Sequence, residues 1–536
     1  MPRGESTLRL ASVLLASLSA LLPLAPAEAD RSVPVPTLAW EACPPAPAGS
    51  APTDAFLCAT AVVPMDHAKP GHGIFSLAVI RHPARDGARR LGTLFWNPGG
   101  PSDAGTQYLP AAIGGFPERV RDRFDIISWD PRGMGGRTTP VVQCFDSAEA
   151  EAAFLDARLQ SLAVTPEELA ADAAARTALN AACIARNGDL LAHVSTADNA
   201  RDLDLLRQAV GEERMNYYGT SYGTFLGATY ANLFPDRLRA MVLDGAVAPA
   251  AWAGDAGEDL SLSTFIRLGS DRGSRATVRA FLDECGRVDA TACAFSAGSP
   301  EATRRKWRDL LERARSGLVV EGQPIDDRDI TVYVQSSIYL IDPLPGFGRF
   351  PGWAAVADFL QKAAEAGEAA TAAAAAPPTA AAAGAAAPGV YVTSAGRQLS
   401  VICGESPNPM TEEAASEQAL RSYARAGISA WPFVAYCVGW TARAADPYLG
   451  PWDRRTAAPV LVVGNTFDPA TAYASSVRMA RELARGRLLT VDGFGHTELL
   501  NPSRCAQAFI ADYIIDGTLP PRGTRCDQDN RPFPAR

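Results

Sequence analysis

The stretch MNYYGTSYGTFLGA, residues 215–228, decides the fold of this chain. It reads as a short strand, then Gly-x-Ser-x-Gly, then a helix of small residues. A turn this tight forces Ser221 into a strained backbone conformation, and the residues two before and two after it have no room for a Cβ. Gly219 and Gly223 occupy those positions. We predict that Ser221 is a nucleophile held above a sheet; an ordinary glycine- and serine-rich loop is the alternative.

A serine nucleophile needs a base, and the sequence offers few. The chain has five histidines, and in the α/β-hydrolase fold an acid and then a histidine follow the serine along the chain. Only His496 lies after Ser221. It follows the apolar run 488–491 in the glycine-rich loop DGFGHT, which lets an imidazole reach over a sheet edge. His496 is the predicted base, and a surface loop histidine is the alternative.

The acid is expected between them, on the loop after the preceding strand. The unbroken apolar run 459–464 predicts a buried parallel strand, and it leads into Asp468. The segment between Asp468 and His496 is long enough for one helix and one strand, which together make one unit of a parallel sheet. Asp468 is therefore the predicted acid.

Three other carboxylates compete for that role. Asp492 is too close to His496 in sequence to orient it from another strand, and Asp453 precedes the strand. Asp244 is the more serious rival because it ends the predicted strand 240–244, where some hydrolases carry their acid. We interpret Asp244 as a turn or structural carboxylate.

An oxyanion site is expected from an earlier loop. The predicted strand 94–96 is followed by NPGGPSDAG, residues 97–105, whose glycines leave backbone N–H groups free to point at a developing negative oxygen. The predicted donors are the N–H groups of Gly99 and Tyr222. A plain Gly/Pro turn is compatible with the same residues. Two charged residues after the next strand are expected to brace the site and not to react: Asp130 and Arg132.

In this order, the segments resemble the secreted tripeptidyl and prolyl aminopeptidase family of α/β-hydrolases. The likeness runs from about residue 57 to the C-terminus and includes the cysteine pattern. The matching motifs are NPGGP (97–101), WDPRGMG (129–135), TADNARDL (196–203), YGTSYG (218–223), DPAT (468–471) and GFGH (493–496). The resemblance implies an α/β-hydrolase fold with a mostly parallel central sheet, and the long separation of Ser221 from Asp468 predicts an inserted, largely helical lid. It places the triad on Ser221, Asp468 and His496 and one oxyanion donor on Gly99.

The chain departs from the family pattern in three places. The glycine loop continues as Pro101-Ser102-Asp103, where the family more often has further glycines. Ala472 stands where a proline is usual, and Glu405 stands where the family usually has Asp. These departures bear on substrate fit and leave the chemistry intact.

The predicted chemistry is acyl transfer to water. His496 takes the proton of Ser221 during attack on a carbonyl, Asp468 orients and stabilises the imidazole, and water releases the acyl-enzyme. The resemblance implies an aminopeptidase that releases tripeptides or proline-type residues from peptide N-termini. Such an enzyme must bind a free ammonium, and the predicted partner is Glu405; a solvated surface glutamate is the alternative. Two other functions stay open: a secreted carboxylesterase or lipase with the same triad, and a hydrolase scaffold that acts only as a binding module.

The composition fits a large soluble enzyme. The chain has 536 residues, of which 47% are hydrophobic and 20% charged, and this is ample for a sizeable core. The formal net charge of −9 argues against a nucleic-acid partner. We expect a peptide or ester substrate and no cofactor. No metal is expected either, because the chain has no Cys-x-x-Cys and no clustered histidine spacing.

The N-terminus has the pattern of a secretion signal. A basic start precedes the apolar stretch 10–24, and Ala27-Glu28-Ala29 is typical of a cleavage site, so residues 1–29 are predicted to be removed. The apolar stretch is too short for a comfortable membrane span. Ten cysteines fit a secreted, periplasmic or cell-envelope protein. The resemblance implies pairing in sequence order: Cys43–Cys58, Cys144–Cys183, Cys285–Cys293, Cys403–Cys437 and Cys505–Cys526.

The predicted organisation is a hydrolase core in two parts. Residues 30–250 hold the first strands and the serine motif, and residues 456–536 hold the last two strands with the acid and the histidine. Residues 251–455 are predicted as a lid over the C-terminal edge of the sheet, where open α/β folds bind ligands. Within the lid, residues 363–388 are nearly all alanine, and such a tract has little to bury.

Overall fold

The apolar runs of the sequence form a ten-stranded sheet in the computed structural model of the chain. The strands are β1 (Glu41–Ala42), β2 (Leu57–Pro64), β3 (Ile74–His82), β4 (Gly92–Asn97), β5 (Phe124–Trp129), β6 (Met215–Thr220), β7 (Leu238–Asp244), β8 (Leu318–Val320), β9 (Gln323–Ile325), β10 (Val460–Phe467), β11 (Gly486–Phe494) and β12 (Arg525–Asp527). Strands β8 and β9 form a separate antiparallel hairpin. The others follow the order β1-β2-β3-β5-β4-β6-β7-β10-β11-β12.

The structure describes residues 33–147, 149–151, 153–154, 163, 165–255, 257–344, 350–367, 395–434 and 436–534. Every element of the fold lies in the unit Val35–Arg536. The predicted signal segment 1–29 and most of the alanine-rich tract lie outside the described residues. The start of that tract, residues 363–365, belongs to a helix.

The direction of the strands places the loops that carry the candidate site residues at one edge of the sheet. Strands β1, β2, β3 and β5 pair antiparallel, and every pairing from β5 across to β12 is parallel. The carboxyl ends of parallel strands share one edge of a sheet, where open α/β folds bind their ligands. The loops after β4, β6, β7, β10 and β11 therefore meet there.

The helices cover the sheet and build the insertion. They are α1 (Gly105–Ala112), α2 (Glu118–Arg123), α3 (Pro166–Asn187), α4 (Thr196–Ala209), α5 (Tyr222–Leu233), α6 (Pro249–Ala253), α7 (Thr264–Leu268), α8 (Ser270–Gly286), α9 (Pro300–Ala314), α10 (Asp327–Ser337), α11 (Trp353–Glu365), α12 (Ala395–Glu405), α13 (Glu412–Ala426), α14 (Tyr473–Glu482) and α15 (Arg504–Asp516). Helices α6 to α13 lie between β7 and β10, so the fold is a mostly parallel sheet with a largely helical insertion. None of the described helices is long and apolar enough to cross a bilayer.

The two largest of the apolar clusters found among the described residues support this arrangement. One lies in the sheet and its covering helices and includes Trp96, Tyr218 and Leu461. The other belongs mainly to the insertion and includes Phe281 and Trp353. All ten cysteines form disulfides, and the pairs follow the sequence order that the resemblance implies.

Candidate active site

Ser221 lies in the tight turn between β6 and α5. Its φ of 57° and ψ of −128° are rare for any residue other than glycine. A Cβ added to Gly219 would lie 2.3 Å from the carbonyl oxygen of Gly223, and one added to Gly223 would lie 2.5 Å from that of Asn97. Glycine is therefore required at both positions, which is the crowding that the sequence motif predicts.

Asp468 and His496 form a buried pair after β10 and β11. The Nδ1 atom of His496 lies 2.9 Å from both carboxylate oxygens of Asp468. The carboxylate also accepts the backbone N–H groups of Ala470 and Thr471 at 2.9 and 2.8 Å, and the Thr471 hydroxyl at 3.0 Å. These donors fix the carboxylate against the imidazole, so Nδ1 is occupied and Nε2 is left for another partner.

The electrostatics of this pair suit a base. Burial lowers the pKa of His496, but the charge and hydrogen bond of Asp468 outweigh it, so the pKa is raised above its ordinary value of 6.5. A negative partner stabilises an imidazolium in the same way during proton transfer. The pair can therefore accept a proton and hold it.

The three predicted triad residues end on one edge of the sheet, because they follow the parallel strands β6, β10 and β11. Within the described residues, Ser221 Oγ makes no hydrogen bond, with His496 or with any other group. Catalytic hydrogen bonds are often long in free enzymes and tighten when substrate binds.

Asp244, the rival acid, has a different set of partners. Its carboxylate accepts the backbone N–H groups of Glu498 and Leu499, each at 2.9 Å, and the hydroxyl of Tyr218 at 3.1 Å. Burial raises its pKa to about 6. Asp244 makes no hydrogen bond to His496 and instead holds the loop that follows it, as expected of a structural carboxylate.

The glycine loop after β4 passes directly against the serine turn. A Cβ on Gly99 would lie 2.8 Å from Ser221 Cβ and 3.1 Å from the backbone nitrogen of Tyr222. The Tyr222 N–H begins α5 and has no acceptor among the described residues. The Gly99 N–H, however, donates to Asn97 Oδ1 at 3.1 Å. This amide is engaged, which differs from the free donor that the sequence predicts.

A neighbouring amide in the same loop is free. The N–H of Gly100 has no hydrogen-bond acceptor in the described part of the chain, and its carbonyl oxygen accepts from Gln398 Nε2 at 2.9 Å. The Gly100 amide is therefore available to an incoming acceptor, whereas the Gly99 amide would first have to leave Asn97. Asn97 itself is fully buried.

The two charged residues predicted to brace the site are both buried and saturated with partners. Asp130 accepts the backbone N–H groups of Thr106 and Arg137, each at 2.8 Å. Arg132 donates to both carboxylate oxygens of Asp202, at 2.7 and 2.6 Å. Both side chains hold loop backbone in place through these bonds and have no capacity left for a substrate.

Glu405 ends helix α12 of the insertion and is 8% exposed. Its carboxylate accepts the Thr196 N–H at 2.8 Å, the Thr196 hydroxyl at 2.6 Å and Trp252 Nε1 at 2.9 Å. It forms no ion pair with any described Arg, Lys or His. Burial raises its pKa to about 7. The sequence alternative of a solvated surface glutamate is therefore wrong.

The position of Glu405 links it to the serine turn. Thr196, its main partner, also shares a hydrogen bond of 2.5 Å with the hydroxyl of Tyr222, the residue after the serine. The Trp252 ring lies 5.5 Å from that of Tyr222, measured between centroids. Thr196 is the first residue of α4, and a helix N-terminus favours a negative group.

Sequence reasoning missed several residues that shape the site. Asn97 begins the motif NPGGP and Thr196 begins the motif TADNARDL. The sequence therefore marks both positions but does not indicate which groups they contact. Trp252 and Tyr339 lie in segments without a motif. Tyr339 packs edge-on against the imidazole of His496, with ring centroids 5.1 Å apart. Only the folded chain brings these side chains to the site.

Two family models match the chain. Residues 98–262 match the model described as alpha/beta hydrolase fold, and residues 426–526 match the model described as TAP-like protein. The first range holds Ser221, and the second holds Asp468 and His496.

Curated relatives cover most of the chain. Carboxylesterase B of Mycobacterium tuberculosis is 31% identical over 92% of this chain and 91% of its own length. Serine protease Hip1 of the same species is 29% identical over 88% of this chain and 87% of its own. Tripeptidyl aminopeptidase of Streptomyces lividans is 28% identical over 89% of this chain and 84% of its own.

Proposed function

The chain belongs to the family of α/β hydrolases with a TAP-like C-terminal region, and on that basis we propose that it is a secreted aminopeptidase. It is a serine hydrolase related to peptidases. In the proposal it releases short peptides, such as tripeptides, or proline-type residues from peptide N-termini. Five disulfides support secretion, because such bonds persist in oxidising compartments.

The proposed reaction uses Ser221 as nucleophile. His496 Nε2 takes the hydroxyl proton while Ser221 Oγ forms a bond to the carbonyl carbon, and Asp468 stabilises the resulting imidazolium. The free N–H of Tyr222 and that of Gly100 bind the oxyanion, each such donor contributing roughly 3–4 kcal/mol. His496 then gives the proton to the leaving amine, and water attacks the acyl-enzyme in the second half of the reaction.

Glu405 is the residue that favours an aminopeptidase over other serine hydrolases. A buried carboxylate without a cationic partner is costly, because it loses hydration and gains no ion pair. The substrate of an aminopeptidase brings the missing cation, its free α-ammonium. The chain of contacts from Glu405 through Thr196 to Tyr222 would place that ammonium at a fixed distance from the serine. This distance would fix how many residues lie between the N-terminus of the substrate and the bond that is cleaved.

The experiment compares wild type with Ser221→Ala on three substrates: a peptide with a free N-terminus, the same peptide with a blocked N-terminus, and a short-chain aryl ester. We expect wild type to cleave the free peptide far better than the blocked one. Ser221→Ala should lose cleavage of every substrate, and it should lose labelling by a fluorophosphonate probe. Equal cleavage of free and blocked peptides would reject the aminopeptidase, and unchanged labelling of Ser221→Ala would reject the nucleophile.

A carboxylesterase is the second candidate, and one observation favours it. The relative that is 31% identical to this chain bears the name carboxylesterase B. The same triad serves both reactions, so the groups that bind the acyl part of the substrate must distinguish an esterase from an aminopeptidase. An ester substrate needs no ammonium partner, and preferential cleavage of the ester with no preference for a free N-terminus would support this candidate.

A further inference from the structure

Two histidines and an aspartate that the proposed mechanism does not use converge at the surface. Asp189 Oδ2 lies 2.8 Å from Nε2 of His72 and 3.7 Å from Nε2 of His193. The ligating atoms of all three residues lie within 4.8 Å of one another. We propose that His72, Asp189 and His193 form a binding site for a divalent zinc ion.

The separations of these atoms are close to those in a coordination sphere. Zinc binds imidazole nitrogen and carboxylate oxygen at about 2.0–2.2 Å with tetrahedral geometry, so its ligand atoms lie roughly 3.3–3.6 Å apart. The two measured distances fall on either side of that range. The side chains of His72 and Asp189 are 53% and 65% exposed, so they can adjust by the required fraction of an ångström. Water can occupy the fourth position.

The two segments that carry the ligands are held in register by one buried guanidinium. Arg132 donates to the carbonyl oxygens of Pro64 and Met65, at 2.9 and 2.7 Å, just before the loop that carries His72. It also donates to the carbonyl oxygen of His193 at 3.1 Å. The backbones of both segments are therefore fixed before any metal arrives, which reduces the entropy lost on binding.

The turn around His72 is itself ordered. Asp66 accepts the backbone N–H of Ala68 at 2.8 Å, and the His72 N–H donates to the carbonyl oxygen of Lys69 at 2.9 Å. The neighbouring charges include Asp66, which interacts electrostatically with His193, and Lys69, which interacts with both Asp66 and Asp189. With neutral imidazoles, the group carries one net negative charge, which favours a cation.

The ligand set selects the class of metal. Two imidazole nitrogens and one carboxylate oxygen suit zinc and its transition-metal neighbours, whereas magnesium and calcium prefer oxygen ligands only. The absence of Cys-x-x-Cys and of clustered histidine spacing predicted no metal, because His72 and Asp189 are 117 residues apart along the chain and their approach is not visible in it. Folding supplies the spacing that the sequence lacks.

The test is a zinc titration of the untagged, mature protein after removal of metal with a chelator. Calorimetry should show one saturable zinc site per chain, and the melting temperature should rise as zinc is added. His72→Ala should weaken zinc binding at least about tenfold, because a ligand is lost and second-shell changes alone cost that much. Magnesium should produce neither effect. Hydrolytic activity of His72→Ala should match wild type, since His72 is not part of the proposed mechanism.

The matched control is His496→Ala, which removes a histidine from the proposed active site. It should abolish hydrolysis and keep the zinc site, so the two proposals fail independently. Cobalt substituted for zinc should give the visible absorption of a low-symmetry site in wild type and in His496→Ala, but not in His72→Ala. Absence of a saturable zinc site in wild type, or zinc binding unchanged in His72→Ala, would overturn the proposal.

Discussion

The carbonyl oxygen of Tyr339, in the insertion, accepts the backbone N–H of His496 at 2.7 Å. Asn501 reinforces this contact: its Nδ2 donates to the carbonyl oxygens of Tyr339 and His496 at 3.0 and 2.9 Å, and its Oδ1 accepts the Ile341 N–H at 3.1 Å. The insertion is thus hydrogen-bonded to the loop that carries the proposed base. The position of the insertion is therefore coupled to the position of the His496 imidazole.

Replacing Asn501 should therefore weaken the connection between the insertion and the loop that carries His496. Asn501→Ala leaves several buried backbone groups without partners, and such a loss costs about 1–3 kcal/mol of the free energy of unfolding. We expect kcat to fall while KM changes little, because the variant disturbs the base and not the acyl site. Denaturant unfolding and steady-state kinetics measure the two effects.

The control for that variant is Asn530→Ala. Asn530 is partly exposed and donates to Asp342 at 2.6 Å, another contact between the C-terminal region and the insertion. It should leave kcat and stability close to wild type. A similar fall in kcat for both asparagine variants would contradict a specific role for Asn501.

Removing the charge of Asp468 should change the pH profile as well as the rate. The general base works as neutral imidazole, so kcat/KM rises with pH through the pKa of His496, which lies above 6.5 in wild type. Asp468→Asn should reduce kcat by about 10⁴, and any residual activity should have its acidic limb at lower pH. Asp492→Asn is the matched control, because Asp492 lies near the end of β11, just before His496, and pairs with Arg525 at 2.8 Å. A large loss in Asp492→Asn would instead favour that rival acid.

Glu405→Gln tests the ammonium site. The glutamine keeps the size of the side chain but loses its charge, so KM for free-amine peptides should rise at least about tenfold, while KM for an aryl ester stays the same. In wild type, KM for the peptide should fall as pH rises through about 7, where Glu405 ionises. Glu258→Gln, a change in the same insertion at a residue paired with Arg478 at 2.6 Å, should alter neither KM. Equal losses on peptide and ester in Glu405→Gln would reject the assignment.

The same variant should alter the pH dependence of stability. Burial raises the pKa of Glu405 from 4.5 to about 7, so the folded state holds this proton more tightly than the unfolded state does. Its contribution is full below pH 4.5 and is lost as pH rises to 7. Between pH 4.5 and 8, the free energy of unfolding of wild type should fall relative to Glu405→Gln by on the order of 3 kcal/mol. Denaturant unfolding at several pH values measures the difference, and parallel curves would contradict it.

The sequence predicted the parts of the site that depend on local geometry. The crowding at Gly219 and Gly223 is a property of the turn itself, and the pairing of Asp468 with His496 follows from strand order in a parallel sheet. The family and the α/β-hydrolase fold with a helical insertion are confirmed. These features need only short segments and their order along the chain.

The remaining features depend on contacts between distant segments. The engagement of the Gly99 amide depends on which way the Asn97 side chain turns. The depth of Glu405 depends on how the insertion packs against Thr196 and Trp252. The approach of His72 to Asp189 joins residues 117 apart. No periodicity or motif encodes such contacts, so the sequence alone could not predict them.

The pairing of β7 with β10 has a consequence for biosynthesis. Met241 to Asp244 align with Val460 to Val463. Strand β7 can therefore pair with β10 only after some two hundred further residues have been synthesised. Until then an apolar strand edge stands open, and such edges attract other chains. Truncated products that end within the insertion should therefore aggregate.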